Sequence, residues 1–370
     1  MRLEAVPGLA PDWPETSGRL FSSRRWLCAT HGRLPGAPVS LALVDGAGPR
    51  VWMYGSVLDR PGGHEPFDLQ ALLLGDPPVY PLADGVEAGR RALVAAAPPA
   101  ERWFPNLVLT YPGYDAHPAG PEAGDEAAVD RFVALAVEWA RERGLAAAAV
   151  LYCRDDQVAL RRALARHGFH GAPVTVRAEL ALPEGGFDGY LRSLRSHRRV
   201  EVRRELARLR EAGVAIRRLG LADRAERVVD LRMRLVRQYG GYSDRATEAA
   251  RLDDLRAAFG DGRLALIGAL AGDELIGFSL FLADGDRWHT HWVGQDYAHP
   301  KARHLYFACT FYEAAAQAAA DGIRHLDVGI GHERAKAARG CRLRPLEVWV
   351  RPLRPDLEPA ASAALRLMRS

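Results

Sequence analysis

The sequence predicts an α/β (α+β) chain in two successive units, and three observations carry that expectation. The stretch from Gly277 to Arg344 reads as a strand (GFSLFL), an acidic turn (ADGDR), a second strand rich in hydrogen-bonding side chains (WHTHWVG), a long helix over about 302–320, a third strand (IRHLDVGI) and then GHERAKAARGC. Two apolar strands joined by a glycine-containing turn form a hairpin, and the helix returns the chain to a further strand of the same sheet. A related order runs through the first half. Finally, Pro173, Pro183 and the PEGG turn mark a passage near residue 180, which divides the chain into 1–180 and 181–370.

The first half opens with strand-like VSLALVDG and RVWMYGSVL, a polar, proline-rich interval and NLVLTYPGYDAH. An acidic start then leads into AAVDRFVALAVEWARERG, an alanine-rich amphipathic helix that ends at Gly144. The strand AAAAVLYC and the helix DDQVALRRALARHG follow. In the second half TFYEAAAQAAADG, closed by Gly322, precedes the strand IRHLDVGI and then ERAKAARG. A duplicated α/β unit accounts for this order; the alternative is a recurrence of a common helix–strand unit.

With 370 residues, 48% hydrophobic and 26% charged, the chain can bury a sizeable core, and the composition excludes a disordered protein. A formal net charge of +4 does not by itself indicate a polyanion-binding protein. Lys301 and Lys336 are the only lysines among many arginines. Cys28, Cys153, Cys309 and Cys341 form no C-x-x-C pair, which argues against a zinc knuckle or a dense disulfide framework and for free thiols in a reducing compartment. The N-terminus MRLEAVPGLAPDWPE lacks an export core, and no stretch has the apolar length to span a bilayer. A cytoplasmic protein without membrane contact, monomeric or homodimeric, is the expectation.

Between the halves, Tyr190 to Arg210 reads as one helix, with Leu191, Leu194, Val202, Leu206 and Leu209 as its apolar stripe and Gly213 as its stop. Arg192, Arg195, Arg198, Arg199, Arg203, Arg204, Arg208 and Arg210 cover much of the rest. They form either a solvated face tied to neighbouring glutamates or a landing surface for a phosphate-bearing partner. Arg195, Arg198, Arg199 and Arg203 are the positions assigned to such a partner.

At these segments the chain resembles the GCN5-related N-acetyltransferase (GNAT) superfamily, in its tandem-domain BioF2-like and Fem-like branch. The residues that carry the resemblance are YLRSLRSHRRVEVRRELARLREAGV, DLRMRLVRQYG, LIGALAGDELIGFSLFLADGDRWHTHWVG and the last strand with KAARG. They cover about residues 187–350 well, and the first half only by general order. The resemblance implies tandem GNAT-like domains, each with a mixed, mostly antiparallel sheet flanked by helices. The first would be either a degenerate support or a unit with its own site, and the second would hold the catalytic cleft. It implies transfer of an acyl group from a thioester to an amine, with no tightly bound cofactor or metal. The donor would be acyl-coenzyme A or a phosphopantetheine thioester on an acyl carrier protein, and the acceptor an amino-bearing small molecule. Alternatives are an aminoacyl-tRNA donor, as in Fem-like relatives, and a non-catalytic binding module. A secondary-metabolite or cell-envelope role follows from the branch alone.

The chain departs from the family's patterns. A related group carries LHFE at the helix start and GEHKLARG after the last strand; here the first is Leu305-Tyr306-Phe307-Ala308, and the second survives as Lys336 and Arg339-Gly340. The pyrophosphate loop Q/R-x-x-G-x-G/A is replaced by YAHPKARHLYF, which sets Lys301, Arg303 and His304 near a helix N-terminus for a phosphate or pantetheine linker.

An amine must lose a proton as it attacks a thioester, so a base, an oxyanion donor and a proton for the thiolate are wanted. His289 and His291 alternate with Thr290 on one strand and share a face, as a catalytic base, as a structural pair or, without a third ligand at a telling spacing, as metal ligands. Asp296 is placed to orient a histidine, to bind the amine of the acceptor or to cap its turn, and Tyr306 to protonate a thiolate or pack in the core. Asp327, in the last strand, would line the cleft with His325 as its partner. Lys336 and Arg339 are candidates for holding a carboxylate or phosphate. Tyr239, Tyr242 and Asp244 around two glycines, and Tyr111, Tyr114 and Asp115 in TYPGYDAH, are candidates for substrate contact. Cys309 and Cys341 are not expected to act as nucleophiles.

Overall fold

The computed structural model describes residues 1–15, 18–83, 85–239, 241 and 243–370. It divides into two compact units, Met1–Val176 with Pro345–Ser370, and Arg177–Arg344. The first break lies beside the expected boundary, but the C-terminal segment belongs to the first unit rather than the second. The reason is a strand with one apolar edge: Leu346, Val348 and Val350 alternate into the interior, and this strand, β12 (Arg342–Pro352), pairs antiparallel with a strand of the first half from Leu346↔Arg154 to Pro352↔Ala147.

In the first unit the strands β1 (Arg2–Pro7), β2 (Ala37–Asp45), β3 (Gly48–Leu58), β4 (Asn106–Leu109) and β5 (Ala147–Arg154) stand in the order β1-β2-β3-β4-β5-β12. Every neighbouring pair is antiparallel except β4–β5, which is parallel. All eight residues of β5 are buried, as expected of a strand covered on both faces. Helix α1 (Glu126–Glu142) covers this sheet through Val129, Phe132, Val133, Ala136, Val137 and Ala140, and Asp125 caps it by accepting from the Ala128 N–H at 2.7 Å. Helix α2 (Val158–Arg166) follows β5 and adds Leu160, Ala163 and Leu164 to the same core.

The second unit repeats these pairings. Its strands are residues 177–181 of β6 (His170–Ala181) with β7 (Val214–Leu219), β8 (Leu264–Ala271), β9 (Glu274–Asp284), β10 (Arg287–Gln295) and β11 (His325–Ile330), in the order β7-β8-β9-β10-β11-β6. Again all pairs are antiparallel except the one between the fourth and fifth strands, β10–β11. Each unit is therefore a mixed, mostly antiparallel sheet flanked by helices.

The predicted arginine-rich helix is two helices, α3 (Gly186–Ser193) and α4 (Ser196–Glu211), because Leu194 and Arg195 adopt extended backbone between them. The break lets Tyr190, Leu191 and Leu194 enter the same core as Val202 and Leu209. Helix α5 (Ala225–Gln238) packs on β10, and α6 (Arg245–Phe259) packs on α5. The helix expected over 302–320 starts at Leu305; this element, α7, runs to Ala320 and contains a π turn over Ala308–Tyr312. A short helix, α8 (Glu333–Ala337), follows β11. Among the described residues no helix is long and apolar enough to cross a membrane.

Gly294 of β10 seats α5. A Cβ there would stand 2.7 Å from Phe278 Cε1 and 2.8 Å from the Leu231 carbonyl. Gly294→Ala is expected to lower stability by about 1–3 kcal/mol by pushing α5 from the sheet, measured by urea unfolding. An unchanged midpoint would show that this contact does not set the spacing.

Candidate active site

Strands β10 and β11 pair over three positions only, Arg287↔His325, Trp288↔Leu326 and His289↔Asp327. Beyond them β10 continues to Gln295 and β11 to Ile330, and β10 carries a bulge between Thr290 and Trp292 against β9. A parallel pair that ends while both strands continue opens a fork at their carboxyl ends. Backbone donors and acceptors there lack a ladder partner, and open sheets bind ligands at such ends. The bulge also interrupts the two-residue alternation from which a shared face for His289 and His291 was expected.

The base of this fork is a buried charge cluster. Asp327 accepts a hydrogen bond from Arg177 at 2.8 Å on the same oxygen that lies 3.1 Å from His289 Nδ1, and its other oxygen accepts from the Gly329 N–H at 3.0 Å. All three side chains are buried. Burial alone would raise the Asp327 pKa, but the Arg177 charge, the His289 hydrogen bond and the Gly329 amide together hold it far below the usual carboxylate range. The predicted partner His325 is not used; its ring lies 3.9 Å from Asp286 instead. An ionised carboxylate only accepts, so it fixes the His289 tautomer with Nδ1–H toward Asp327 and the basic lone pair on Nε2.

Lys336, on α8, is buried and donates to the carbonyls of Val328 (2.6 Å), Gly329 (3.2 Å) and Ile330 (2.8 Å). These are the β11 residues just past the last pair with β10, so the ammonium stands in for the missing strand. All three of its N–H donors are engaged, and it offers its charge to the fork rather than an unused donor. Burial brings its pKa down to about 8.

A second buried network surrounds Arg339. Its Nε donates to Tyr312 Oη (3.1 Å), its Nη2 to Glu205 (3.2 Å) and its Nη1 to the Ala335 carbonyl (3.2 Å), and its guanidinium lies 3.2 Å above the centre of the Phe307 ring. Tyr312, at the end of the π turn, donates to Glu205 at 2.5 Å, and Tyr190 donates to the Arg339 carbonyl at 3.1 Å. His304, in left-handed backbone at φ 70, places Nδ1 3.5 Å from Glu205. Burial lowers its pKa, Glu205 opposes that, and Arg303, Arg208 and Arg339 reinforce it. Sequence reasoning missed Glu205, Tyr190 and Arg177. For Glu205 a signal existed, since it falls between Val202 and Leu209 at helical spacing and so lies in the apolar stripe of α4.

The other expected positions are dispersed. His291 is half-buried against Trp292. Asp296 is ion-paired with Arg234 and, at 3.8 Å, with Arg227, and it accepts from the Ala298 N–H; burial would raise its pKa, but Arg234 and these partners lower it. Tyr306 packs edge-on to Phe307 and Phe311, and burial pushes its phenol well above its ordinary range. Lys301 lies beside Gly213, and Arg303 is exposed. Tyr239 is exposed, with its hydroxyl 3.3 Å from His332 Nε2. Asp244 caps α6 through the Thr247 N–H at 2.8 Å, and Tyr242 lies outside the described residues. Arg198 pairs with Glu201, Arg199 donates to the Arg192 and Leu194 carbonyls, and Arg195 and Arg203 are exposed. Burial raises the thiol pKa of Cys309, and that of Cys341 to about 12, so neither thiol ionises readily.

The corresponding fork of the first unit is filled by its own chain. After the last β4–β5 pair, Leu109↔Val150, the backbone makes a bridge Tyr111↔Asp115 and a parallel bridge Ala116↔Cys153. Tyr111 is fully buried and donates to the His117 carbonyl at 2.7 Å, and Tyr114 stacks on Phe67. Ser22, His117 and Asp115 fall in line, with Ser22 Oγ 2.5 Å from His117 Nε2 and Asp115 3.5 Å from Nδ1. All three are buried, so this row fastens the loop 110–117 in the unit's interior.

Residues 195–337, nearly the whole second unit, match the family model described as an acetyltransferase (GNAT) domain. The second unit is a GNAT domain. No curated protein matches the chain in sequence. Among solved structures it is similar to FemX (11% identity, 94% of each chain covered, TM-score 0.57) and to L-PGS from Bacillus licheniformis (10% identity, 95% of this chain and 93% of that one, TM-score 0.54). A conserved protein of unknown function from Bacteroides thetaiotaomicron is similar too (11% identity, 91% and 93% covered, TM-score 0.55). At these identities the likeness is one of fold, and it extends over both units.

Two measurements check the fork of this GNAT domain. Asp327→Asn leaves the Arg177 charge buried with its carboxylate partner gone, and a loss of about 3–5 kcal/mol is expected in denaturant unfolding. For Lys336 the unfolded chain binds more protons than the folded one between its folded pKa of about 8 and its ordinary 10.5. Stability contributed by this site therefore rises with pH across that window. The stability of the wild type relative to Lys336→Met should rise with pH across that window; a constant relative stability would mean that Lys336 is not desolvated.

Proposed function

We propose that the GNAT domain is an N-acyltransferase that forms an amide from a thioester donor and an amino-bearing small molecule at the β10–β11 fork. The observation that carries this reading is the Asp327–His289 pair at the point where the two strands part. The amine lone pair attacks the thioester carbonyl carbon, the C–N bond forms, and the tetrahedral intermediate collapses with cleavage of the C–S bond. His289 Nε2 takes the proton from the amine, and Asp327 stabilises the resulting imidazolium. The positive field of Lys336 stabilises the negative charge that develops on the carbonyl oxygen. The same imidazolium returns the proton to the departing thiolate. Tyr306 is held too firmly protonated by burial to be the better acid, and its role is a hydrogen bond to the thiolate. In this reading His291 and Asp296 approach the substrates from the β10 side.

Coenzyme A or a carrier-protein phosphopantetheine is the donor in this reading, with its phosphate near Lys301, Arg303 and His304 at the start of α7. Arg195 and Arg203, with Arg204 and Arg208, have no carboxylate partner among the described residues and suit the acidic surface of a carrier protein. The same arginines, together with a fold similar to FemX along 94% of both chains, favour aminoacyl-tRNA as the second reading.

The test is amide formation, followed by mass spectrometry, from acyl-coenzyme A, acylated carrier protein and charged tRNA. His289→Ala is expected to lower the rate by about 10²–10⁴-fold with little change in donor binding. Transfer that survives this substitution would remove His289 from the mechanism, and capture of a donor without any transfer would favour a binding module.

A further inference from the structure

The sheet of the GNAT domain has a helix on each face. Gly294, opposite Phe278 in the ladder, abuts Leu231 of α5, whereas Gly277, opposite Gln295, abuts Leu305 of α7. Phe278 and Gly277 are successive residues, so the two helices lie on opposite faces. The cations Lys301 and Arg303 precede α7. A second set of cations stands on α5, where Arg234, Arg237 and Gln238 of its last turn line a shallow cavity of about 340 Å³, open to solvent, with Asp296, Tyr297 and Ala298.

The charges in this cavity do not cancel. Asp296 is occupied by Arg234, Arg227 and the Ala298 N–H. Arg237 is exposed and has no carboxylate partner among the described residues. Beside it stand Tyr297 and Tyr239, 43% and 66% exposed, the large exposed aromatic side chains of the described residues. A guanidinium with five donors, a primary amide and aromatic flanks suit a small molecule with an anionic group. Direct transfer needs two substrates that approach from different sides, and the α7 side already has cations for the donor phosphate.

We infer that the acyl acceptor is an amine that also carries an anionic group, carboxylate or phosphate, and that Arg237 holds this group in the α5 cavity. The inference rests on acyl transfer in the GNAT domain. Arg237 is here a specificity-determining residue, and it takes no part in proton transfer.

The experiment pairs amines by charge and uses the full chain with whichever donor supports transfer. The pairs are glycine with glycinamide, β-alanine with β-alaninamide, and O-phosphoethanolamine with ethanolamine. In at least one pair the charged member is expected to have a kcat/KM about tenfold or more above its neutral partner, as for a charge-assisted hydrogen bond. Arg237→Ala should abolish that ratio, chiefly through KM. The pair that shows the preference tells carboxylate from phosphate. Equal or better use of every neutral amine, or a ratio that survives Arg237→Ala, overturns the inference and leaves acyl transfer standing. If no amine is acylated, it is acyl transfer that fails, and calorimetry of the three charged amines decides the cavity. Binding weakened about tenfold by Arg237→Ala supports the site, and binding that is absent or unaltered overturns it.

Discussion

The second unit depends on one buried carboxylate. Asp327 sits on β11, its Arg177 partner on β6 and its His289 partner on β10, so one side chain ties three adjacent strands at the place where their ladder is about to end. Taking these groups out of water is costly, and such a cluster is tolerated only when its geometry satisfies the charges. Here the Gly329 amide adds a further donor, and the carboxylate stays ionised although it is buried. A hydrophobic trio would fill the same space at lower cost, but it would not orient an imidazole. The cluster is thus better explained by the position it imposes on His289 than by the stability it contributes.

The comparison between units shows what the open fork requires. Both sheets have the same succession of pairings, and both have one parallel pair in the same place. In the first, the backbone itself continues the ladder through Ala116↔Cys153, and Tyr114 packs edge-on against Tyr152. In the second, the carbonyls past the last pair are satisfied by the ammonium of Lys336. A side chain can satisfy those carbonyls without laying another strand in the gap, so the strands stay apart without leaving buried backbone unpaired.

Much of this was legible in the chain. The hairpin turn at Gly285, the strand WHTHWVG and the repeated helix–strand order all appear where periodicity and glycine placement put them. What could not be read was pairing across long sequence distances. The alternation of Leu346, Val348 and Val350 marks a strand with one buried edge, but nothing local says that its partner is β5, nearly two hundred residues earlier. For the same reason Asp327 was assigned a neighbour two residues away, His325, when its actual partners lie on two other strands. A bulge at His291 likewise leaves no mark in a sequence read with a strict period of two.

Glu205 links the arginine-rich helix to the cleft. It is the buried acid that receives Tyr312 and Arg339 and approaches His304, and it belongs to α4, whose exposed positions include Arg203, Arg204 and Arg208. One helix thus presents cations outward and anchors the start and the π turn of α7 inward. Helix α7 begins beside Lys301 and Arg303, and Glu205 joins the segment that precedes α7 to α4 through His304. His304 holds left-handed backbone without being glycine, a conformation that persists only where its surroundings fix it. The contact of His304 Nδ1 with Glu205 at 3.5 Å is such a constraint, and it makes the geometry of the loop before α7 a property of α4 as much as of the loop itself.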